Sequence, residues 1–234
     1  MRVAHFALGD GQPGRLLLII HHLATDGISW RLLMADLHTL WTQLGAGEAP
    51  RLAPKSTSYQ EWAKRLGEYA GSDAARAELG YWTSEAYGRV APIPRDRPEG
   101  HNTEDSMRVV EAALTPEETR VLLQRMREVH GTQVDEVLLT ALHLALTEWT
   151  GRHAHLIELD NHGRESILPG VDLSRSVGWF TALSPVVLEN TPGLAPSALI
   201  QSVREQLRAV PHRGVGYGIL RYLSPDATVR ERLA

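Results

Sequence analysis

The spacing of hydrophobic and polar positions changes several times along the chain, and each change marks an element. Arg2 to Leu8 alternates in part, Asp10-Gly11-Gln12-Pro13-Gly14 carries turn chemistry, and Arg15 to His22 is a near-continuous apolar run. Together they predict a hairpin over 2–22 whose second strand is buried. From Ser29 the period is helical, with Leu32, Leu33, Leu37, Leu40, Trp41 and Leu44 at three- and four-residue steps until Gly45. A Pro/Gly-containing loop follows to Thr57. Ser58-Tyr59-Gln60-Glu61 then has the spacing of a capping box and opens a helix toward Tyr69. A third helix is predicted from Asp73 to Ala86.

Residues 88–105, with Pro92, Pro94, Pro98 and Gly100, predict an irregular connection between two lobes, 1–95 and 96–234. Met107 to Leu114 predicts a strand. Thr115-Pro116-Glu117-Glu118 places a cap, an N1 proline and an N3 glutamate in order, starting a helix to about Val129 that Gly131 closes. A very apolar helix is predicted over 133–150, strands over 155–160 and 180–188, and a helix over 197–210. A Gly-rich turn enters a short helix over 214–223. Strands and helices mixed in this way assign the fold class α/β, as α+β two-layer lobes.

Composition narrows the function classes. Of 234 residues, 43% are hydrophobic and 22% charged, which excludes a disordered or coiled-coil chain. The balance of 24 Lys+Arg against 28 Asp+Glu argues against nucleic acid bound through a basic surface. Cysteine is absent, so disulfides, thiolate nucleophiles and Cys-based zinc sites are excluded. The longest purely apolar run, Leu16 to Ile20, falls far short of the roughly 20 residues of a membrane helix, and no signal-peptide pattern opens the chain. The expected setting is cytoplasmic, with no membrane partner.

Four segments carry candidate chemistry. His21-His22-Leu23-Ala24-Thr25-Asp26-Gly27 stands at a strand end. A metal site there is disfavoured, because neighbouring strand residues point to opposite faces. The two histidines are either satisfied core residues or, at the junction of strand, loop and helix, an acid/base group that titrates near neutrality. Asp160-Asn161-His162-Gly163-Arg164-Glu165 is a solvated turn or the source of a carboxyl group facing His22. Ser176-Val177-Gly178-Trp179-Phe180-Thr181 reads as packing. Pro211 to Gly218 has alternate glycines that mark a sharp turn or a close backbone approach, and its spacing is not that of a dinucleotide fingerprint.

Taken in this order, the segments resemble the epimerization domain of non-ribosomal peptide synthetases, a branch of the condensation superfamily. HHLATDGISW (21–30) is similar to that family's HHxxxDGxSW element, and NHGRE (161–165) to the end of its EGHGRE element. RSVGWFTALSP (175–185) is similar to its RTVGWFT segment, and PHRGVGYG (211–218) to its PxxGxGYG segment. HHxxxDG is common to the superfamily, whereas the other three segments distinguish the epimerase branch.

The resemblance implies a chloramphenicol-acetyltransferase-like fold, two lobes around a V-shaped cleft, here truncated at both ends. It implies L-to-D epimerization of an aminoacyl or peptidyl thioester on the 4′-phosphopantetheine of a peptidyl carrier domain, with neighbouring synthetase modules as partners and no intrinsic cofactor or metal. His22 becomes the acid/base and Asp160 its acidic counterpart, where the family has the first Glu of EGHGRE. An Asp there is one methylene, about 1.5 Å, shorter. His21, Asp26, Asp36 and Arg164 take supporting roles, Asp26 as a partner for Arg164. Trp30, His162, Gly163, Glu165, Trp179 and Tyr217 are assigned to the substrate cleft. The same resemblance leaves two alternatives, an amide-forming condensation domain and an inactive fragment that only docks a carrier domain.

Overall fold

The computed structural model describes residues 1–101 and 103–234, and of Val129 and His130 the backbone alone. The opening hairpin is formed. β1 (Arg2–Phe6) and β2 (Arg15–Ile19) pair antiparallel, with Arg2 opposite Ile19 and Phe6 opposite Arg15. Its predicted burial is corrected: Val3, Phe6, Leu16, Leu17 and Ile19 are each about half exposed. The sheet has two strands, and an apolar strand is buried only where both of its faces are covered.

Helix α1 (Gly27–Gly45) follows a single 3-10 turn, and α2 (Tyr59–Tyr69) starts where its cap predicts, with Ser58 Oγ accepting from the Glu61 N–H at 3.1 Å. The single helix expected over 73–86 is instead three short ones, α3 (Asp73–Ala77), α4 (Leu79–Trp82) and α5 (Glu85–Arg89). The Thr83-Ser84 pair falls at the second break, since hydroxyl side chains favour caps and turns over helix interiors. The connection after α5 holds no helix or strand through 101, and Asn102, which falls within the predicted connection, lies outside the described residues.

No strand forms over 107–114. Val109 and Val110 are largely exposed, and without a ladder partner an apolar run gains nothing from being extended. The capping box at Thr115 is realised: its Oγ1 accepts from the Glu118 N–H at 3.2 Å while Glu118 Oε2 accepts from the Thr115 N–H at 2.7 Å. α6 (Pro116–Arg120) runs through a wide π turn into α7 (Met126–His130), and Gly131 ends it at φ 61°. Then come α8 (Val134–Thr150), β3 (Ala154–Asn161), β4 (Ala182–Glu189) and α9 (Pro196–Ala209). β3 and β4 form the second two-stranded sheet. The chain closes with α10 (Val215–Gly218), a π turn over 219–223 and α11 (Ala227–Arg232).

The chain divides into two compact units, each discontinuous in sequence. The first comprises 1–79, 160–184 and 212–234, and the second 80–159 and 185–211. The first is built on Trp62, Leu66, Ala70, Leu173, Phe180, Val215 and Ile219, with Trp62 and Phe180 rings 4.8 Å apart. The π turn over 219–223 packs on α2, α3 and α11 there.

In the second unit α8 packs on α9, and Val186, Leu188, Leu199 and Val203 are buried. A buried pair of histidines also sits in it. His143 and His155 meet through their Nδ1 atoms at 3.1 Å, His143 Nε2 bonds Asn190 Oδ1 and His155 Nε2 bonds Thr150 Oγ1. Burial pushes both below the ordinary value of 6.5; the Asn190 bond opposes this at His143, and the charges of His143 and Arg152 add to it at His155.

The stability these two contribute is complete above pH 6.5 and is lost as pH falls toward their folded values, because only the unfolded chain then binds the protons. The expected slope approaches about 1.4 kcal/mol per pH unit for each histidine. Urea midpoints measured from pH 7.5 down to 5 check this. His155→Gln should remove about half of the slope, and an unchanged slope in that variant would count against the pair.

Candidate active site

β2 ends at Ile19, so the adjacent histidines lie beyond the strand. His21 Nδ1 accepts from the Leu23 N–H at 3.1 Å and caps the 3-10 turn His22–Ala24. One ring nitrogen of His21 is thereby committed to the backbone. His22 opens the turn, exposed, with its ring edge-on to Trp179 at 6.0 Å. Among the described residues no three His, Asp or Glu side chains are grouped to hold a metal ion.

Asp26 ends the turn and caps α1. Its Oδ1 accepts from the Ser29 N–H at 2.7 Å and its Oδ2 from the Phe180 N–H at 3.3 Å, while Arg164 Nη2 donates to both oxygens at 3.0 Å. Burial alone would raise this carboxyl. The bonds from Ser29 and Phe180 and the Arg164 charge outweigh burial and hold it below the ordinary 3.8. Asp26 is therefore an ionised, fully engaged carboxylate that fixes the loop and has no lone pair free for proton transfer.

Arg164 is the hub. Nη1 donates to the carbonyls of Leu173 at 3.1 Å and Ser176 at 2.8 Å, Nη2 also reaches Ser29 Oγ at 3.0 Å, and the guanidinium lies 4.0 Å over the Phe180 ring. Ser29 Oγ donates to the Gly178 carbonyl and accepts from the Gly178 N–H, so its one proton and two acceptor positions are all used. The two glycines in this layer have steric causes. Gly163 sits at φ 65°, where a Cβ would run into the Phe180 carbonyl, and a Cβ on Gly178 would enter the Tyr59 ring.

A second ion pair, Arg175 with Asp36 at 2.7 Å, ties the same 175–180 segment to α1. Tyr59 O–H donates to the Trp179 carbonyl at 3.0 Å, which fixes the backbone of the residue that touches His22. Trp30 is half-buried in the first turn of α1.

Asp160 is exposed near the end of β3, and among the described residues no hydrogen bond or ion pair joins it to His22. His162 Nδ1 accepts from the Arg164 N–H at 3.0 Å, and its Nε2 lies 3.4 Å from Glu165. Arg213 approaches Glu165 at 3.7 Å, and His212 approaches Glu78 at 3.8 Å. His212 and Arg213 both hold positive φ, 44° and 51°. Tyr217 O–H donates to the Leu233 carbonyl at 3.2 Å and accepts from Arg221.

Ser29, Tyr59, Arg175 and Phe180 escape the sequence-based candidate set. Asp26-x-x-Ser29 has the spacing of an N-cap with its N3 residue, which is a legible signal for Ser29. The other three act through contacts more than a hundred residues apart, and no local spacing reports those.

The condensation-domain family model matches residues 1–233. One of the linear gramicidin synthase proteins of Brevibacillus parabrevis is 47% identical over 226 residues, which cover 97% of this chain and 3% of that protein. Chondramide synthase of Chondromyces crocatus is 45% identical over 233 residues, 97% of this chain and 6% of that one. Among solved structures, the epimerization domain from the third module of tyrocidine synthetase B superposes with a TM-score of 0.84 at 35% identity, over 99% of this chain and 51% of that one. The first condensation domain of the calcium-dependent antibiotic synthetase, solved with a substrate analogue, gives 0.73 at 23% over 97% of this chain and 51% of that one, a likeness of fold. The chain thus spans about half the length of these structures and a few per cent of the synthetases. Its α/β architecture is the chloramphenicol-acetyltransferase-like one, and the chain belongs to the condensation-domain family.

Proposed function

We propose that this domain inverts the α-carbon of an aminoacyl or peptidyl thioester from L to D, with His22 moving the proton on one face and Asp160 acting on the other. One observation carries the reading. The likeness to a solved epimerization domain stands at 35% identity, against 23% for a condensation domain of the same fold. The three segments at 161–165, 175–185 and 211–218 point the same way.

The chemistry follows from the substrate. A thioester acidifies the neighbouring C–H more than an amide does, so a neutral imidazole at His22 can take the α-proton while the electron pair passes into the thioester carbonyl. Return of a proton from the opposite side completes inversion. The carboxylate of Asp26 keeps the turn that carries His22 fixed. In this reading residues 1–95 and 96–234 belong to two acetyltransferase-like lobes. The thioester is delivered on the phosphopantetheine of a carrier domain, neighbouring modules supply and receive the peptide, and the setting is the cytoplasm.

The family match also accommodates amide formation, with the same His22 positioning or deprotonating an amine. One experiment separates the readings: a carrier protein loaded with an L-aminoacyl or peptidyl thioester is incubated with the chain in heavy water, with and without an acceptor amine. Deuterium at the α-carbon together with D-isomer supports epimerization, whereas new amide supports condensation. Carrier binding without either reduces the chain to a docking module. In the same assay Asp160→Glu, which restores the reach of the longer side chain, is expected to preserve exchange or raise it by up to about a hundredfold. Full exchange in Asp160→Ala would remove Asp160 from the reaction, whereas loss of exchange in Asp160→Glu alone would overturn only the gain expected from the longer reach.

A further inference from the structure

We propose that the apolar cavity beside Trp179 is the side-chain subsite for a peptidyl thioester whose last residues are bulky and apolar. This rests on the epimerase reading and narrows it to a substrate class. The cavity lies within the first unit and measures about 610 Å³. Its walls are Trp62 and Leu66 of α2, the Trp179-Phe180 segment, and Ile219 and Tyr222 of the π turn that packs on α2.

Three observations specify the occupant. Among the described residues, no Asp, Glu, Lys, Arg or His lines the cavity. A charged side chain or the phosphate of a carrier arm entering it would be stripped of water with no counter-charge, which is costly. Second, Trp179 is shared: it lines the cavity and its ring meets the ring of His22. The cavity and the imidazole therefore share Trp179 as a common neighbour, which places the cavity in the surroundings of His22.

The third is size. A benzene-sized ring fills an apolar cavity of about 150 Å³, so 610 Å³ holds several such groups. On that scale one aminoacyl side chain takes about a quarter of the space, and the last two residues of a peptide fit in it together. Apolar pockets of this volume are those that receive whole ligands.

The test compares pantetheine thioesters of acetyl-leucyl-phenylalanine, acetyl-leucyl-aspartate and alanine, by α-proton exchange in heavy water and, separately, by ligand-detected NMR binding. The expected result is at least tenfold higher kcat/KM and tighter binding for the leucyl-phenylalanyl thioester. Ala63→Phe, which narrows the cavity from an exposed position on α2, should shrink that preference at least tenfold in both readouts.

Equal exchange of all three thioesters overturns the subsite and leaves the epimerase reading standing. Absent exchange with the binding preference intact, and lost in Ala63→Phe, overturns the epimerase reading and keeps the subsite. Absent exchange with no binding preference overturns both. Concentration-dependent dimers that Ala63→Phe dissociates would assign the cavity to a second copy of the chain and overturn the proposal.

Discussion

Alanine at position 22 is expected to lower α-proton exchange by about 10²- to 10⁴-fold, the usual contribution of a positioned acid/base group. The protein should remain folded. His22 is exposed and its ring packs only edge-on against Trp179, a contact worth about 0.5–1.5 kcal/mol. A urea titration measures that cost independently, so lost chemistry and lost fold are separated. His22→Gln should be as inactive as alanine, because it keeps polarity and approximate size without a titrating group. His21→Ala gives the contrasting outcome. It removes the cap on the Leu23 N–H and should act through the turn, lowering exchange less than His22→Ala does. Full turnover in His22→Ala would falsify the proposed mechanism.

Removing Arg164 should give the largest loss of stability of any single change in the site. Its side chain and that of Asp26 are 8% and 7% exposed, and stripping one partner from a buried pair costs about 3–5 kcal/mol. Arg164→Leu strands the Asp26 carboxylate with its two backbone donors and also frees the carbonyls of Leu173 and Ser176. Asp26→Asn should be milder, since an amide keeps an acceptor for the Ser29 N–H. The double variant should lose less than the sum of the singles, because the isolated charge is no longer buried.

The acid limb carries the same signature. Asp26 lies below its ordinary 3.8 when folded, so its contribution is complete above that pH and disappears as pH falls through the folded value. Arg164→Leu should weaken this dependence in the range below pH 3.8. Urea midpoints across that range read it directly, and an acid limb unchanged by Arg164→Leu would show that the guanidinium does not hold the carboxylate ionised.

Much of this arrangement is legible in the sequence because it is local. Ser58, Thr115 and Gly131 act within three or four residues of themselves, and the caps they form agree with their spacing. The turn after β2 is legible only in part: an apolar run to His22 suggests strand, whereas the backbone leaves it at Ile19. The 107–114 segment misleads for a tertiary reason, since extended conformation needs a partner that composition does not announce. Long-range pairs are legible only through resemblance. Nothing at Asp36 points to Arg175, 139 positions away. The cavity is the least accessible, because Trp62, Trp179 and Ile219 each look like ordinary core residues until the chain brings them to one wall.

The Asp26–Arg164 pair also carries a timing consequence. The two residues are 138 positions apart, and a ribosome extending the chain at about 5–20 residues per second needs roughly 7–28 seconds to travel from one to the other. Throughout that interval the N-terminal end of α1 waits with an unneutralised carboxylate and without the segment that will cover it. The histidine turn therefore becomes rigid late, after translation has passed position 180, and nascent chains arrested earlier should present it as a protease-sensitive site.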